Sequence, residues 1–302
     1  MNKIRAWLSA ARLRTLPLSL SGIIIGTALA NLEGFYNTSI FILSLLTTVG
    51  FQITSNFAND YGDGVKGTDA DDRIGPKRAL QSGILSRKEL KSGIGISIVI
   101  NFTLAFLLIY TAFGVQNLLY PILFIILSGL SIWAAIRYTM GNSPYGYRGL
   151  GDVFVFIFFG LLSVLGSLFL YAKSITLISI LPAISIGLLC VGVLNLNNLR
   201  DIVSDEKHGK HTLVVKMGFK NGKIYHSLLI LFSFLCFAFF YGYTFTSYSI
   251  LFYFLAYIPI FIHLIKVYQT KVPVKLDTEL KKLALSTFLL SLLFYIAVNY
   301  FS

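Results

Sequence analysis

Long apolar segments alternate with short polar interruptions along the whole chain. The apolar segments fall at about 16–31, 39–59, 93–113, 118–138, 152–172, 175–197, 224–246, 248–268 and 283–301. Most come close to or exceed the roughly 20 residues that a helix needs to cross a hydrocarbon core. The pattern therefore predicts nine transmembrane helices, with the polar string YTFTSYS around Thr246 separating the seventh from the eighth. Residues 1–302 read as a single domain, with no soluble domain, long linker or low-complexity segment.

Charge tests the count independently. With the N-terminus on the cytoplasmic side, 25 Lys and Arg residues distribute so that all but Lys173 fall on that side. This lopsidedness is what the positive-inside rule expects of a correctly divided bundle. Glu33 is the only acid on the far side. The prediction is an all-α polytopic membrane protein, multi-pass in the cytoplasmic (inner) membrane, with its polar chemistry at the cytoplasmic face.

Composition agrees: 56% of the 302 residues are hydrophobic and only 13% charged, against about 25% charged in soluble domains. The net charge of +12 follows from topology rather than from a nucleic-acid surface, so no nucleic-acid partner is expected. Cys190 and Cys236 lie in apolar runs without metal-like spacing and read as packing residues. Lys3, Arg5, Arg12 and Arg14 precede an apolar stretch ending in Ala28-Leu29-Ala30. That arrangement resembles a signal peptide, but the basic flank equally suits a first transmembrane helix kept in place, which is the expectation here.

Two polar outbreaks interrupt the apolar pattern. The first, Gln52 to Gly83, holds Asp60, Asp63, Asp69, Asp71 and Asp72 with Lys66, Arg73, Lys77 and Arg78. The second, Asn195 to Thr212, holds Asp201, Asp205 and Glu206. Asn59-x-x-x-Asp63 and Asn197-x-x-x-Asp201 form a faint internal repeat, each at the cytoplasmic end of an even-numbered segment. Two pseudosymmetric four-helix halves plus a ninth helix would set them on opposite walls of a central cavity open to the cytoplasmic face. On a continuing helix Asn197, Asp201 and Asp205 line one face. Gly62, Gly64 and Gly67 are expected to end the helix after Asp63 and leave Asp69 to Asp72 on a loop.

Carboxylates gathered at a membrane boundary take up protons or recruit cations. Oxygen-only clusters select hard divalent ions, magnesium above all, which bridges one or two carboxylates to substrate phosphates. The neighbouring cations, Lys66, Arg73, Lys77 and Arg78, suit phosphate oxygens. Asp71, Asp72, Glu89 and Glu206, with His208 and His211, read as a solvated face. A cation-coupled transporter is the alternative of another class, but its carboxylates usually sit near the midplane. A purely structural scaffold has no need of paired motifs.

These residues resemble the UbiA-type intramembrane prenyltransferases, and within them the 1,4-dihydroxy-2-naphthoate polyprenyltransferase branch. The likeness rests on NFANDYGDGVKGTDADDRIGPKRALQSG, NLNNLRDIVSDEKHGKHTLVVKMG, YTMGNSPYGYRGLGDVFVFIFFGLLSVLGS and RLRTLPLSLSGIIIGTALA. Benzoate-using members carry a further Asp where this chain has Gly67, and the next acid is Asp69. The resemblance implies transfer of a polyprenyl group from polyprenyl diphosphate to 1,4-dihydroxy-2-naphthoate within the lipid bilayer. It implies two Mg2+ ions, one on Asn59 and Asp63 and one on Asn197, Asp201 and Asp205, with Asp69 as a further metal residue. Asp60 is implied as a third metal contact, base or orienter, and Asp63, Asp201 and Asp205 share the catalytic role. Arg12, Lys66, Arg73 and Arg78 are implied for the diphosphate, and Tyr138, Tyr145, Tyr147 and Arg148 for the acceptor. Some of the many Phe and Tyr residues would line a prenyl tunnel. The sister reading is another aromatic acceptor such as 4-hydroxybenzoate or homogentisate.

Overall fold

A computed structural model describes residues 2–67, 78–115, 118–246 and 248–301. Among these, nine helical segments are long and apolar enough to cross a membrane, numbered here spans 1 to 9: Lys3–Leu32, Thr38–Lys66, Arg87–Phe113, Leu119–Arg137, Gly151–Ala172, Leu177–Arg200, Leu213–Thr244, Leu251–Gln269 and Pro273–Phe301. The nine expected segments are all present, several of them extended by a polar turn that hydropathy alone does not register.

Local chemistry sets the ends. Span 3 opens with a reciprocal capping box, in which Ser86 accepts from the Glu89 backbone N–H and Glu89 returns to that of Ser86. Span 7 opens on Thr212, whose hydroxyl accepts from Val215 N–H at 3.2 Å. It then kinks at Gly218, where φ is 80°. Span 1 is not one straight helix: Lys3–Ala11 stops at Arg12, a short turn follows, and Leu16–Leu32 resumes. Pro17 sits in the first turn of the resumed helix, where its missing N–H costs nothing.

Span 1 packs against spans 2, 5 and 9, spans 2, 3 and 4 pack together, and span 6 lies against spans 5, 7 and 9. The larger core runs through spans 1 and 5 to 9. A smaller one, around Ala6, Ala10, Phe57, Ala79, Leu85 and Leu90, seats the first helix on spans 2 and 3. Lipid offers no hydrophobic drive between helices, so close packing and buried polar links fix the neighbours, the links worth on average about 0.6 kcal/mol each. Asn101 donates to Thr54 and Thr54 to Ser97, joining spans 2 and 3. Ser185, Ser233 and Tyr257 join spans 6, 7 and 8, and His226, His263 and Glu279 join spans 7, 8 and 9. Gly160 of span 5 meets Gly187 of span 6 backbone to backbone, where a Cβ would stand 2.5 Å from the Gly187 Cα.

Candidate active site

Span 2 carries the first motif to its last turns. Its helix runs unbroken through Gly62 and Gly64 to Lys66 and ends at Gly67, whose φ of 75° forms the left-handed cap. The expectation that three glycines break the helix is thus corrected. Gly62 and Gly64 serve close approach instead, since a Cβ would come within 2.4 Å of Thr139 Oγ1 and 2.6 Å of Leu80 Cδ2 respectively. Thr139 uses that proximity to donate to Ala58 O at 3.1 Å and Asn59 Oδ1 at 3.3 Å.

Asp63 is buried between two partners. Arg78 Nη1 approaches its Oδ2 at 2.9 Å, and the Tyr147 hydroxyl donates to its Oδ1 at 2.9 Å. Arg78 also donates to the Asn59 carbonyl at 3.0 Å, tying the segment after the first motif back onto the motif itself. Asp60 points elsewhere. Its Oδ2 accepts from Ala79 N–H at 3.2 Å, so it seats the turn that carries Arg78. Lys66 is exposed, with Nζ 4.5 Å from the centroid of the Tyr147 ring. Asp69 and Arg73, with Asp71, Asp72 and Lys77, lie outside the described residues.

The second motif differs from the continuous helix expected. Span 6 ends at Arg200, and Asp201, at φ −95° and ψ 8°, joins it to a short helix, Ile202–Lys207. The cause lies in Arg200, whose guanidinium forks onto both Asp201 oxygens at 2.8 and 2.6 Å, donates to Asn197 Oδ1 at 2.9 Å and reaches Asp277 of span 9 at 2.7 Å. Asp201 and Asp205 are buried, about as deeply as Asp63. Lys210 lies 3.3 Å from Asp205 and 5.9 Å from the Tyr147 ring centroid, so it stands between the two motifs. Burial alone would lower its pKa, but the carboxylates of Asp205 and Asp63 outweigh that and hold it above the ordinary lysine range. Burial raises Asp205 against the opposing pull of Lys210.

One cavity of about 430 Å³ is lined by Asn59 and Asp63 of the first motif and by Asn197 of the second, while Asp201 and Asp205 lie behind its wall. Its polar end is walled by Arg12, Asn59, Asp63, Arg78, Asn197 and Lys210. From there it follows span 2 from Asn59 to Ser44, about 22 Å at helical rise, past Leu108, Phe124, Leu162 and Leu170. Tyr138 and Tyr145 line it, whereas Arg148 is exposed and Tyr147 spends its hydroxyl on Asp63. The Tyr145 ring stacks on Phe154 at 3.9 Å while its hydroxyl donates to Ala134 O. Sequence pattern alone does not single out Arg200 or Lys210. A cation inside the Asn197-to-Asp201 window is a signal for Arg200, and Lys210 has none.

The donor set fits magnesium. The two motifs offer carboxylate and amide oxygens as ligands, and Asp205 Oδ2 is buried without a hydrogen-bond donor among the described residues. No three His, Cys, Asp or Glu side chains gather among the described residues to cage a metal alone. Magnesium shared with phosphate oxygens needs only one or two carboxylates.

A membrane-embedded cavity with a cationic, amide- and carboxylate-lined head and a long apolar body defines a protein for amphiphiles that carry a polyanionic group. The chain belongs to the UbiA prenyltransferase family, whose model matches residues 19–298. It is 48% identical over 80% of its length to the 1,4-dihydroxy-2-naphthoate octaprenyltransferase of Escherichia coli K12, covering 77% of that protein. It is 44% identical over 97% of its length to the 1,4-dihydroxy-2-naphthoate octaprenyltransferase of Haemophilus influenzae, covering 95% of it. A UbiA homolog from Archaeoglobus fulgidus, solved bound to DMAPP and Mg2+, shares the fold with a TM-score of 0.66 at 14% identity, over 98% of this chain and 99% of that one.

Proposed function

We propose that this protein transfers a long all-trans polyprenyl group from polyprenyl diphosphate to 1,4-dihydroxy-2-naphthoate, the prenylation step of menaquinone biosynthesis. The observation that carries the reading is the cavity where Asn59 and Asp63 of the first motif, Asn197 of the second and three cations, Arg12, Arg78 and Lys210, meet at one end of an apolar channel. The names of relatives 44% and 48% identical supply the acceptor.

Arg12, Arg78 and Lys210 take the diphosphate oxygens, and charge-assisted contacts of this kind are about twice as strong as neutral ones. Lys66 adds to this positive field, and Arg73, outside the described residues, is proposed to act with it. Asn59, Asp63, Asn197, Asp201 and Asp205 would hold two magnesium ions, with Asp69, outside the described residues, proposed beside them, and magnesium when bound would offset the negative charge of the diphosphate. The bond between the prenyl C1 and the diphosphate oxygen breaks with its electron pair leaving on oxygen. The apolar channel keeps water from the allylic cation. The naphthoate carbon bearing the carboxylate then bonds to C1, and carbon dioxide leaves as the carboxylate's bonding pair returns to the ring, giving demethylmenaquinol, the reduced form of demethylmenaquinone. Tyr138 and Tyr145 orient the acceptor from the wall next to Asp63. Asp60 acts through Ala79 on the placement of Arg78. The basic loops set this face in the cytoplasm of a bacterial inner membrane.

The test is incubation of purified protein with magnesium, octaprenyl diphosphate and carboxyl-labelled 1,4-dihydroxy-2-naphthoate. Label is expected as carbon dioxide in step with demethylmenaquinol. Prenylation of 4-hydroxybenzoate or homogentisate in its place would move the protein to a sister acceptor, and diphosphate left uncleaved with every acceptor would overturn the reading.

A further inference from the structure

Arg12 has a backbone that few arginines adopt. At φ 49° and ψ 54° it occupies the left-handed region, where a Cβ crowds the following carbonyl oxygen, so the conformation persists only where surrounding contacts impose it. Those contacts are explicit. Asn56, buried on span 2, donates through Nδ2 to the Ala11 carbonyl at 2.8 Å. Thr15 donates to the Arg12 carbonyl twice, through its backbone N–H at 2.8 Å and its hydroxyl at 2.9 Å. Gln52, one helical turn before Asn56, donates to Asn56 Oδ1 at 3.2 Å. That bond orients the Asn56 amide so that its nitrogen faces Ala11. The two carbonyls flanking the left-handed residue are therefore both held, one from span 2 and one from the turn that follows.

We infer that Asn56 is a positioning residue: by capturing Ala11 O it fixes the left-handed turn that aims the Arg12 side chain into the polar end of the cavity. A residue in ordinary helical geometry at position 12 would continue the first helix and carry its side chain around the helix axis by about 100° per residue. The turn also sets the angle between Lys3–Ala11, which packs Trp7 onto Phe57 of span 2, and the membrane-crossing part of span 1. Asn56 borders the cavity, but it is only 2% exposed, its amide nitrogen donates to Ala11 O and Thr15 Oγ1 and its oxygen accepts from Gln52, so its part is to hold Arg12 rather than to bind substrate. This inference rests on the reading that Arg12 meets the diphosphate.

The test is a double-variant cycle on the full-length protein. Binding of geranylgeranyl thiodiphosphate, an unreactive probe, is measured in Asn56→Ala, Arg12→Ala and the double variant, with melting temperatures of each and of Arg12→Gly with and without Asn56→Ala. Each single substitution is expected to weaken binding roughly tenfold or more, and the double variant is expected to bind no worse than Arg12→Ala. Glycine accepts the left-handed region freely, so the melting-temperature loss from Asn56→Ala should shrink in the Arg12→Gly background. Losses that add in the double variant, or normal binding by Asn56→Ala, overturn the inference. Normal binding by Arg12→Ala removes Arg12 from the diphosphate site and with it the functional half of the inference, while the melting comparison still decides whether Asn56 holds the turn.

Discussion

Lys210 illustrates how far single residues could be read. It follows Asp205 by five positions, beyond a helix end, and Gly209, at φ 68°, turns the chain so that the ammonium returns between the two motifs. Nothing in periodicity announces a residue placed by a loop. Asn59 and Asp63, by contrast, were legible because i and i+4 share a helix face and both lie at the end of an apolar segment. Asp60 shows the limit of proximity in sequence, since it neighbours Asn59 yet turns behind the wall to Ala79. Replacing Lys210 with alanine is expected to raise the Michaelis constant for polyprenyl diphosphate about 10-fold to 100-fold, the worth of a charged hydrogen bond. The constant for the naphthoate should barely move, and Lys210→Arg should recover part of the loss. Steady-state kinetics with each substrate varied in turn checks this.

Helix ends hold most of the site, and the sequence is least informative there. The glycines of the first motif read as breakers, whereas Gly62 and Gly64 admit Thr139 and Leu80 against the helix and only Gly67 ends it. The expected straight helix through Asp205 fails because the Arg200 fork draws Asp201 out of register, a tertiary interaction with Asp277 on the far end of the chain. Capping was plainer, with Ser86 and Glu89 spaced as a capping box. At Gly62 the added methyl of alanine would stand 2.8 Å from the Thr139 carbonyl carbon as well as against its hydroxyl, so the neighbouring backbone must shift. Gly62→Ala is expected to destabilise the protein by about 1–3 kcal/mol, as overpacking does, seen as a lowered melting temperature. Gly95, whose position has open space, should accept alanine without that loss.

At the scale of the whole molecule, hydropathy and charge gave the number of spans, because each must match the bilayer and each loop must choose a side. They could not give the ring of neighbours, which depends on small residues and on pairs such as Thr54 with Asn101 that are remote in sequence. Sidedness can be checked with cysteines at Ser174 and Gln269, both exposed, in a background lacking Cys190 and Cys236. A membrane-impermeant maleimide should label the Ser174 site on intact cells and the Gln269 site only after permeabilisation; the reverse would invert the topology. The central claim is that the two motifs work on one diphosphate from facing walls. Its most direct test is magnesium-dependent binding of geranylgeranyl thiodiphosphate to the unsubstituted protein, Asp63→Asn, Asp201→Asn and the double variant. Each single substitution is predicted to remove the magnesium-dependent gain in affinity and the double variant to lose nothing further, whereas a single variant that keeps the full gain would contradict the account.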